Sequence, residues 1–457
     1  MSRTLLTSLF TMFVVSAFVS WSNAVAVDYF FDQYRGADDN EGTRERPFKE
    51  LQKIHDLPLK PGDRVCFVRG SSYHGSVTIE ASGTQEAPIV LTSYGEGHLP
   101  KFTNSDFDDA YGSVFRIKGS HVVVDGLYFH SGPSVPPTRE GSDAVRKTGA
   151  VFVERGAENV VIRNCEVVDY PIGFQIYGER CLITRNYLHD CQAWLKHPNW
   201  GPIGIMVATS HNEISYNRIE NYICSGGAYG ADGGAIEIDF ADIPKRDIEV
   251  HHNWSVGNCG FLEVYAGVCD IRDIRVHHNV SEDYQQFVFF WNGIDCLVDH
   301  NTVLCLRPRI ADGVQTDSRT VFVLRRGKVK NITVRNNIFL VADGLQVFGL
   351  GGTHRWPQDF DQPRSHNLYF CIDGTQDDPC GKPLAEGEMT ADPRFVDLDR
   401  MDLRLRPDSP AIDAAKNLGY MQDYAGNMIP QGKAPDIGAY EAPNEQFKLR
   451  TPDHDSR

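Results

Sequence analysis

Three carboxylates, Glu237, Asp239 and Glu263, lie in two short apolar stretches of matching pattern, AIEIDF (235–240) and FLEVYAG (261–267). Side chains alternate along a strand, so Ile236, Ile238, Leu262 and Val264 share one face and the three acids the other. If the two stretches are neighbouring strands, Glu237 and Glu263 stand about 4.8 Å apart at the backbone. Like charges that close resist joint ionisation, which leaves one protonated acid beside one carboxylate. A carboxyl pair about 5–5.5 Å apart suits hydrolysis of a glycosidic bond with retention of configuration. Asp239 sits roughly 8 Å from Glu263 on the diagonal, inside the inverting range of about 6.5–9.5 Å. Stacked carboxylates also hold calcium through oxygen ligands, or merely decorate a solvated face. Catalysis is the reading preferred for Glu237, Asp239 and Glu263.

The same alternation recurs in GFQIYG (173–178), GIMVAT (204–209), FVFFWNG (287–293) and VFVLRRG (321–327). Every inward position is apolar, and a slip of one residue would bury charges, so the register is well determined. One outward column then reads Gln175, Met206, Glu237, Glu263, Phe289, Val323, and the other Tyr177, Ala208, Asp239, Tyr265, Trp291, Arg325. Tyr265, Trp291 and Arg325 are candidate substrate-binding residues. Two long insertions, 191–202 and 221–234, precede these strands and carry Trp194, Trp200, Tyr222 and Tyr229, aromatic walls on which sugar rings can stack. Asp232 reads as a turn former or, second, as another acid. His189, Lys196 and His197 are weaker acid–base candidates, and Arg325, Arg326 and Lys328 form a basic spot able to meet a uronate. His251-His252 and His277-His278 fall in a different strand, where packing or a surface place is favoured over a metal site.

What positions these residues is a repeat. VVIRNCEV, LITRNYLH, EISYNRIE, IEVHHNWSV, IRVHHNVS, LVDHNTVL and ITVRNNIFL recur from Val160 to Leu340, and SHNLYF follows more loosely. Their asparagines (Asn164, Asn186, Asn217, Asn253, Asn279, Asn301, Asn337) are 22, 31, 36, 26, 22 and 36 positions apart. Self-similarity at that period marks a stacked repeat, here one coil of a parallel β-helix plus a variable loop.

Residues 1–26 carry Arg3, an apolar run from Leu5 to Trp21 and Ala24-Val25-Ala26, which reads as a secretory signal cleaved after Ala26. A secreted or periplasmic place is expected, with no membrane span. The chain of 457 residues has 45 basic and 61 acidic residues, net −16, which argues against nucleic acid as partner. Eleven cysteines without CxxC pairs argue against a zinc site; most read as small core residues, with Cys371–Cys380 a candidate disulfide.

The phrases LKPGD, SGT, API and YGEG near the front, the VxxN coils, and SPAID with DIGAYE near the end resemble the pectate-lyase-like superfamily. That resemblance covers nearly the whole mature chain. It implies an all-β, single-domain right-handed parallel β-helix, in which the phrases along the chain mark an N-terminal cap and first coils (27–112, with a short helix in 47–57), coils (113–370) and a C-terminal cap and polar tail (371–457). It is specific for architecture and not for activity. The acidic cluster favours a secreted glycoside hydrolase acting on a polysaccharide or oligosaccharide, as a monomer without a required cofactor. A polysaccharide lyase that eliminates across a uronic acid, with calcium as helper, is the alternative; a non-catalytic carbohydrate-binding or envelope protein is the third reading.

Overall fold

The computed structural model describes residues 26–104, 112–130, 149–191, 201–225, 231–239, 243–265, 267–307, 310–311, 314–315, 320–349 and 358–443. The signal segment therefore lies outside the described residues, as do the terminal fourteen. Among the described residues three parallel sheets, of 14, 12 and 9 strands, run the length of the molecule. The chain visits them in turn: third sheet, first, second, then back to the third one coil further on. Thus Ile172–Ile176, Leu182–Thr184 and Tyr187–His189 make one coil, and Ile203–Val207, Glu213–Ser215 and Arg218–Glu220 the next. This is a right-handed parallel β-helix, the expected fold. No helix among the described residues is long and apolar enough to cross a membrane.

Inward side chains fill the coil. Phe174, Ile176, Ile205, Val207, Ile236, Ile238, Leu262, Val264, Val288, Phe290, Phe322 and Leu324 are all at most 1% exposed, as the alternation requires. At the N-terminal end Leu51–Asp56 forms a 3₁₀ turn, shorter than the helix expected over 47–57. It buries Leu51 and Ile54 on the first coils.

Between the first and second sheets each coil bends through one residue with positive φ: Tyr216, His252, His278, His300, Asn336 and His366, at 51–58°. The next residue is the buried asparagine, and these stack into a ladder from Asn186 through Asn217, Asn253, Asn279, Asn301 and Asn337 to Asn367. Each carboxamide oxygen accepts the backbone N–H of the ladder residue one coil back, as Asn217 Oδ1 does from Asn186 (3.1 Å) and Asn367 Oδ1 from Asn337 (3.0 Å). Each Nδ2 donates to a carbonyl of the preceding coil, Asn186 to Ile162 at 3.0 Å. Asn164 is not part of it. Cys165 holds that rung, giving its N–H to Asn186 Oδ1 (3.0 Å), while Asn164 is the positive-φ residue, exposed and bonded to Asp125 (2.8 Å). The first interval of the ladder is therefore 21 residues rather than 22.

The strands Thr302–Cys305 and Ile338–Val341 are apolar at nearly every position, so both their faces need cover. The chain after 390 supplies it. Phe395, Leu403, Leu405, Ala411, Ile437 and Ala439 pack on the outer face of the second sheet over Val280, Leu304, Ile338, Leu340 and Leu368. This segment lies along the flank of the coils. Gly438, at φ +100°, donates to Asn336 O (2.8 Å), and a Cβ there would stand 2.6 Å from Ile338 Cδ1.

Two acids of the flank segment carry a pH signature. Burial pushes Asp436 up from 3.8 to about 6, helped by Asp413 and Asp423, and Glu441 up from 4.5 to about 7, helped by Asp436. Both are raised in the folded state, so the native form holds more protons and stability falls as pH rises from about 4 to 7. Denaturant midpoints across that window should show Glu441→Gln lacking part of this slope, whatever its overall stability. An unchanged slope would remove Glu441 from the account.

Many cysteines sit in the core as expected, among them Cys165, Cys181 and Cys296. The candidate Cys371–Cys380 disulfide is not formed. Cys371 Sγ donates to Asp373 (3.1 Å) and Cys380 Sγ accepts from Arg364 (3.2 Å), so the two thiols are held by different partners.

Candidate active site

The carboxylates stand on the third sheet, where successive strands pair in parallel with single-residue register. Met206 faces Glu237, Glu237 faces Glu263, Glu263 faces Phe289 and Phe289 faces Val323. The outward column read from alternation is therefore the real one. The second column follows one residue beyond each strand: Asp239, Tyr265, Trp291 and Arg325 donate their backbone N–H to Val207, Ile238, Val264 and Phe290. Asp239, Tyr265, Trp291 and Arg325 thus stack coil upon coil beside the glutamates.

Exposure changes along the face. Gln175, Met206 and Ala208 are fully buried despite pointing away from the core; Ile172, Ile203, Met206 and Ala208 form a small apolar cluster with Tyr177. Glu237 is 8% exposed, and Asp239, Glu263, Tyr265, Phe289, Trp291 and Arg325 are half-buried. The two glutamates therefore differ in solvation although they are register partners. Downstream of them the Arg325 guanidinium lies 3.6 Å over the Trp291 ring, with Tyr265 at 5.5 Å and Phe289 at 5.9 Å from that ring. A cation over an indole face holds the ring in place.

Other candidates divide. Trp194, Trp200 and Tyr229, with Lys196 and His197, lie outside the described residues. Tyr222 is wholly buried in the core and is no wall residue. His189 belongs to the second sheet, stacked on Tyr187 at 4.0 Å and paired with Glu166 and Asp190, so it does not reach the carboxylates. Asp232 is a strand residue, its backbone paired antiparallel to Cys224, and the turn after it belongs to Gly233 at φ +105°. Arg326 and Lys328 are exposed beside Arg325.

The face also extends further back than the aligned phrases. Gly149–Val153 adds Phe152 beneath Gln175, and Phe115–Ile117 adds Arg116 beneath Phe152. Phe152 meets Tyr177 edge-on at 5.6 Å, and Arg116 pairs with Glu154. The alternation in GAVFV was the available signal for that coil. A separate cavity of about 200 Å³ lies at the N-terminal end, lined by Gln33, Glu50, Tyr73 and His74, away from Glu237 and Glu263.

Residues 68–303 match the model of the right handed beta helix region. One curated protein, the uncharacterized protein YwoF of Bacillus subtilis (strain 168), is 30% identical over 105 residues. That stretch is 22% of this chain and 21% of the relative, so the chain spans about a fifth of that protein's length. Among solved structures, pectate lyase Pel9A is similar over 91% of this chain and 96% of its own (14% identity, TM-score 0.58). XylC in complex with xylose is similar over 91% and 99% (12% identity, TM-score 0.55). A glycoside hydrolase is similar over 80% and 96% (11% identity, TM-score 0.50). At these identities the likeness is one of fold.

Proposed function

The chain belongs to the right-handed β-helix family, and from that premise we propose that it is a carbohydrate-active enzyme, a glycoside hydrolase whose acid and base are Glu237 and Glu263. The observation that carries the reading is the pairing of these two glutamates on adjacent rungs in unequal solvation. Burial beside Met206 and a like charge one rung away both disfavour the ionised form of Glu237, which suits the proton donor. Glu263, more open to water, suits the carboxylate that attacks the anomeric carbon or activates water. Adjacent rungs about 4.8 Å apart favour the retaining geometry of about 5–5.5 Å. Asp239 offers the wider inverting partner to Glu263. Tyr265 and Trp291 would hold sugar rings, joined by Trp194, Trp200 and Tyr229 from the inserted loops. A secreted or periplasmic monomer needing no cofactor fits this role.

The alternative is a polysaccharide lyase, with Arg325 meeting the uronate and calcium on the carboxylates. Incubation of the purified protein with neutral and uronic-acid glycans, with and without chelator, separates the readings. New reducing ends without unsaturated products support hydrolysis; ultraviolet-absorbing unsaturated uronates would replace it with elimination. Binding without turnover would leave a carbohydrate-binding protein.

Arg325→Ala removes the cation over Trp291, an interaction of about 0.5–1 kcal/mol at an exposed site. On a neutral glycan KM should rise about 2–5-fold with kcat nearly unchanged. A loss confined to kcat would instead place Arg325 in the chemistry.

A further inference from the structure

At the bend between the first and second sheets lies a group of histidines that the proposed glycan chemistry does not use. His251 and His277 are register partners, and His252 and His278 follow them at the positive-φ positions. The rings stack in two columns: His251 on His277 at 4.7 Å and 5°, and His252 on His278 at 5.1 Å and 12°. Within each coil the rings meet edge to edge through Nδ1, at 2.7 Å for His251 with His252 and 3.0 Å for His277 with His278. His251, His252 and His277 thereby bring their ligand nitrogens within 4.8 Å of one another.

The far sides of the first two rings are anchored. His251 Nε2 meets Glu213 Oε1 at 3.2 Å, and His252 Nε2 meets the Asp423 carbonyl at 3.0 Å. A carbonyl oxygen only accepts, so His252 carries its proton on Nε2 and its Nδ1 is a bare lone pair when neutral. The hydrogen between the two Nδ1 atoms then belongs to His251, whose Nε2 also donates to the Glu213 carboxylate, so this ring holds both hydrogens until an ion displaces the one on Nδ1. A carboxylate behind one imidazole and a carbonyl behind the next is the outer arrangement that orients metal-binding histidines.

We propose that His251, His252 and His277 form a binding site for a late first-row divalent metal ion of the zinc class. Their ligand nitrogens all lie within 4.8 Å of one another. Tetrahedral zinc with Zn–N of about 2.0–2.1 Å wants its nitrogens roughly 3.3 Å apart, so one ring of the parallel His251–His277 pair turns out of the stack to bind. The ion replaces the proton shared by His251 and His252, and that proton leaves to solvent. His278, fully buried with an Nε2 that has no hydrogen-bond partner, stacks next to this group without belonging to it, so the fourth position is left to water. All-nitrogen ligation selects zinc, copper or nickel over calcium. His251, with 12% of its side chain exposed, provides the way in.

The test is titration of the full chain, stripped with chelator, by Zn²⁺ in a calorimeter and by Co²⁺ in visible absorption. One equivalent should bind, with the intense visible bands of nitrogen-ligated tetrahedral Co²⁺, and Ca²⁺ should produce neither signal. His251→Gln and His277→Gln should each weaken Zn²⁺ at least 100-fold, and Glu213→Gln, which positions His251, about tenfold. His300→Gln, a neighbour in the stack outside the triad, should keep the affinity. Absence of a one-equivalent site in the wild-type protein overturns the proposal, as does unchanged affinity in the His251 and His277 variants. Should those variants fail to fold, a Co²⁺ spectrum typical of oxygen ligation in the wild type overturns it. Neither result touches the glycan reading, which rests on another sheet.

Discussion

Glu263→Gln should lower turnover on the protein's glycan about 10²–10⁴-fold while leaving the unfolding midpoint nearly unchanged. The amide keeps the shape of the side chain but cannot act as base or nucleophile, and a half-buried site tolerates it. Glu237→Gln should fall by a similar factor for a different reason, loss of the proton donor. The two separate on substrates with a good leaving group, which need little protonation: Glu237→Gln should recover much of its rate there and Glu263→Gln should not. The double variant should be little worse than either alone, since residues acting as one unit are not additive. Full activity in both single variants would sink the assignment, and activity lost only in Asp239→Asn would move the catalytic pair to the diagonal.

The second large effect is structural. Asn279→Ala removes four hydrogen bonds at once: to Val250 O (2.9 Å), to Asn301 Oδ1 (3.0 Å), and from the N–H and Nδ2 of Asn253 (2.9 and 3.1 Å). It leaves the buried Asn253 N–H without its acceptor and opens a void in the bend. An orphaned buried donor costs about 1–3 kcal/mol, and with the lost packing the total should reach about 3–5 kcal/mol. Asn164→Gly is the control. That asparagine belongs to the same repeated phrase but is exposed, and glycine suits its φ of +53°, so its cost should stay below about 1 kcal/mol. Equal losses in chemical denaturation would mean that the ladder does not support the coil as described.

That contrast shows what the sequence could and could not say. Inward residues of the third sheet were legible because each strand alternates cleanly, and the pairing of Glu237 with Glu263 followed from it. Asn164 shares the letter of the repeated phrase but not its distance from the inward isoleucine, so the letter alone places it on the wrong rung. In VIRNC the asparagine stands two residues after Ile162, and in LITRN it stands three after Ile183. Tyr222 differs from its expected place for a related reason: an aromatic at a loop boundary reads as a wall residue until the coil turns it inward. The histidines were visible as doublets, but their convergence needed the stacking of coils and the return of Asp423 from 171 positions away. No period within the repeat announces that contact.

The uneven cover of the carboxylate face has a consequence for how a chain of sugars would lie on it. From Arg325 and Trp291 toward Glu263 the face is partly exposed, but Met206 and Ala208 are wholly buried. A polymer laid along the coils could extend in one direction only, its terminus abutting the closed end just past Glu237. Such a dead-ended track crops units from a chain end and leaves the interior of a long polymer uncut. Product lengths, more than rates, would then carry the imprint of the fold.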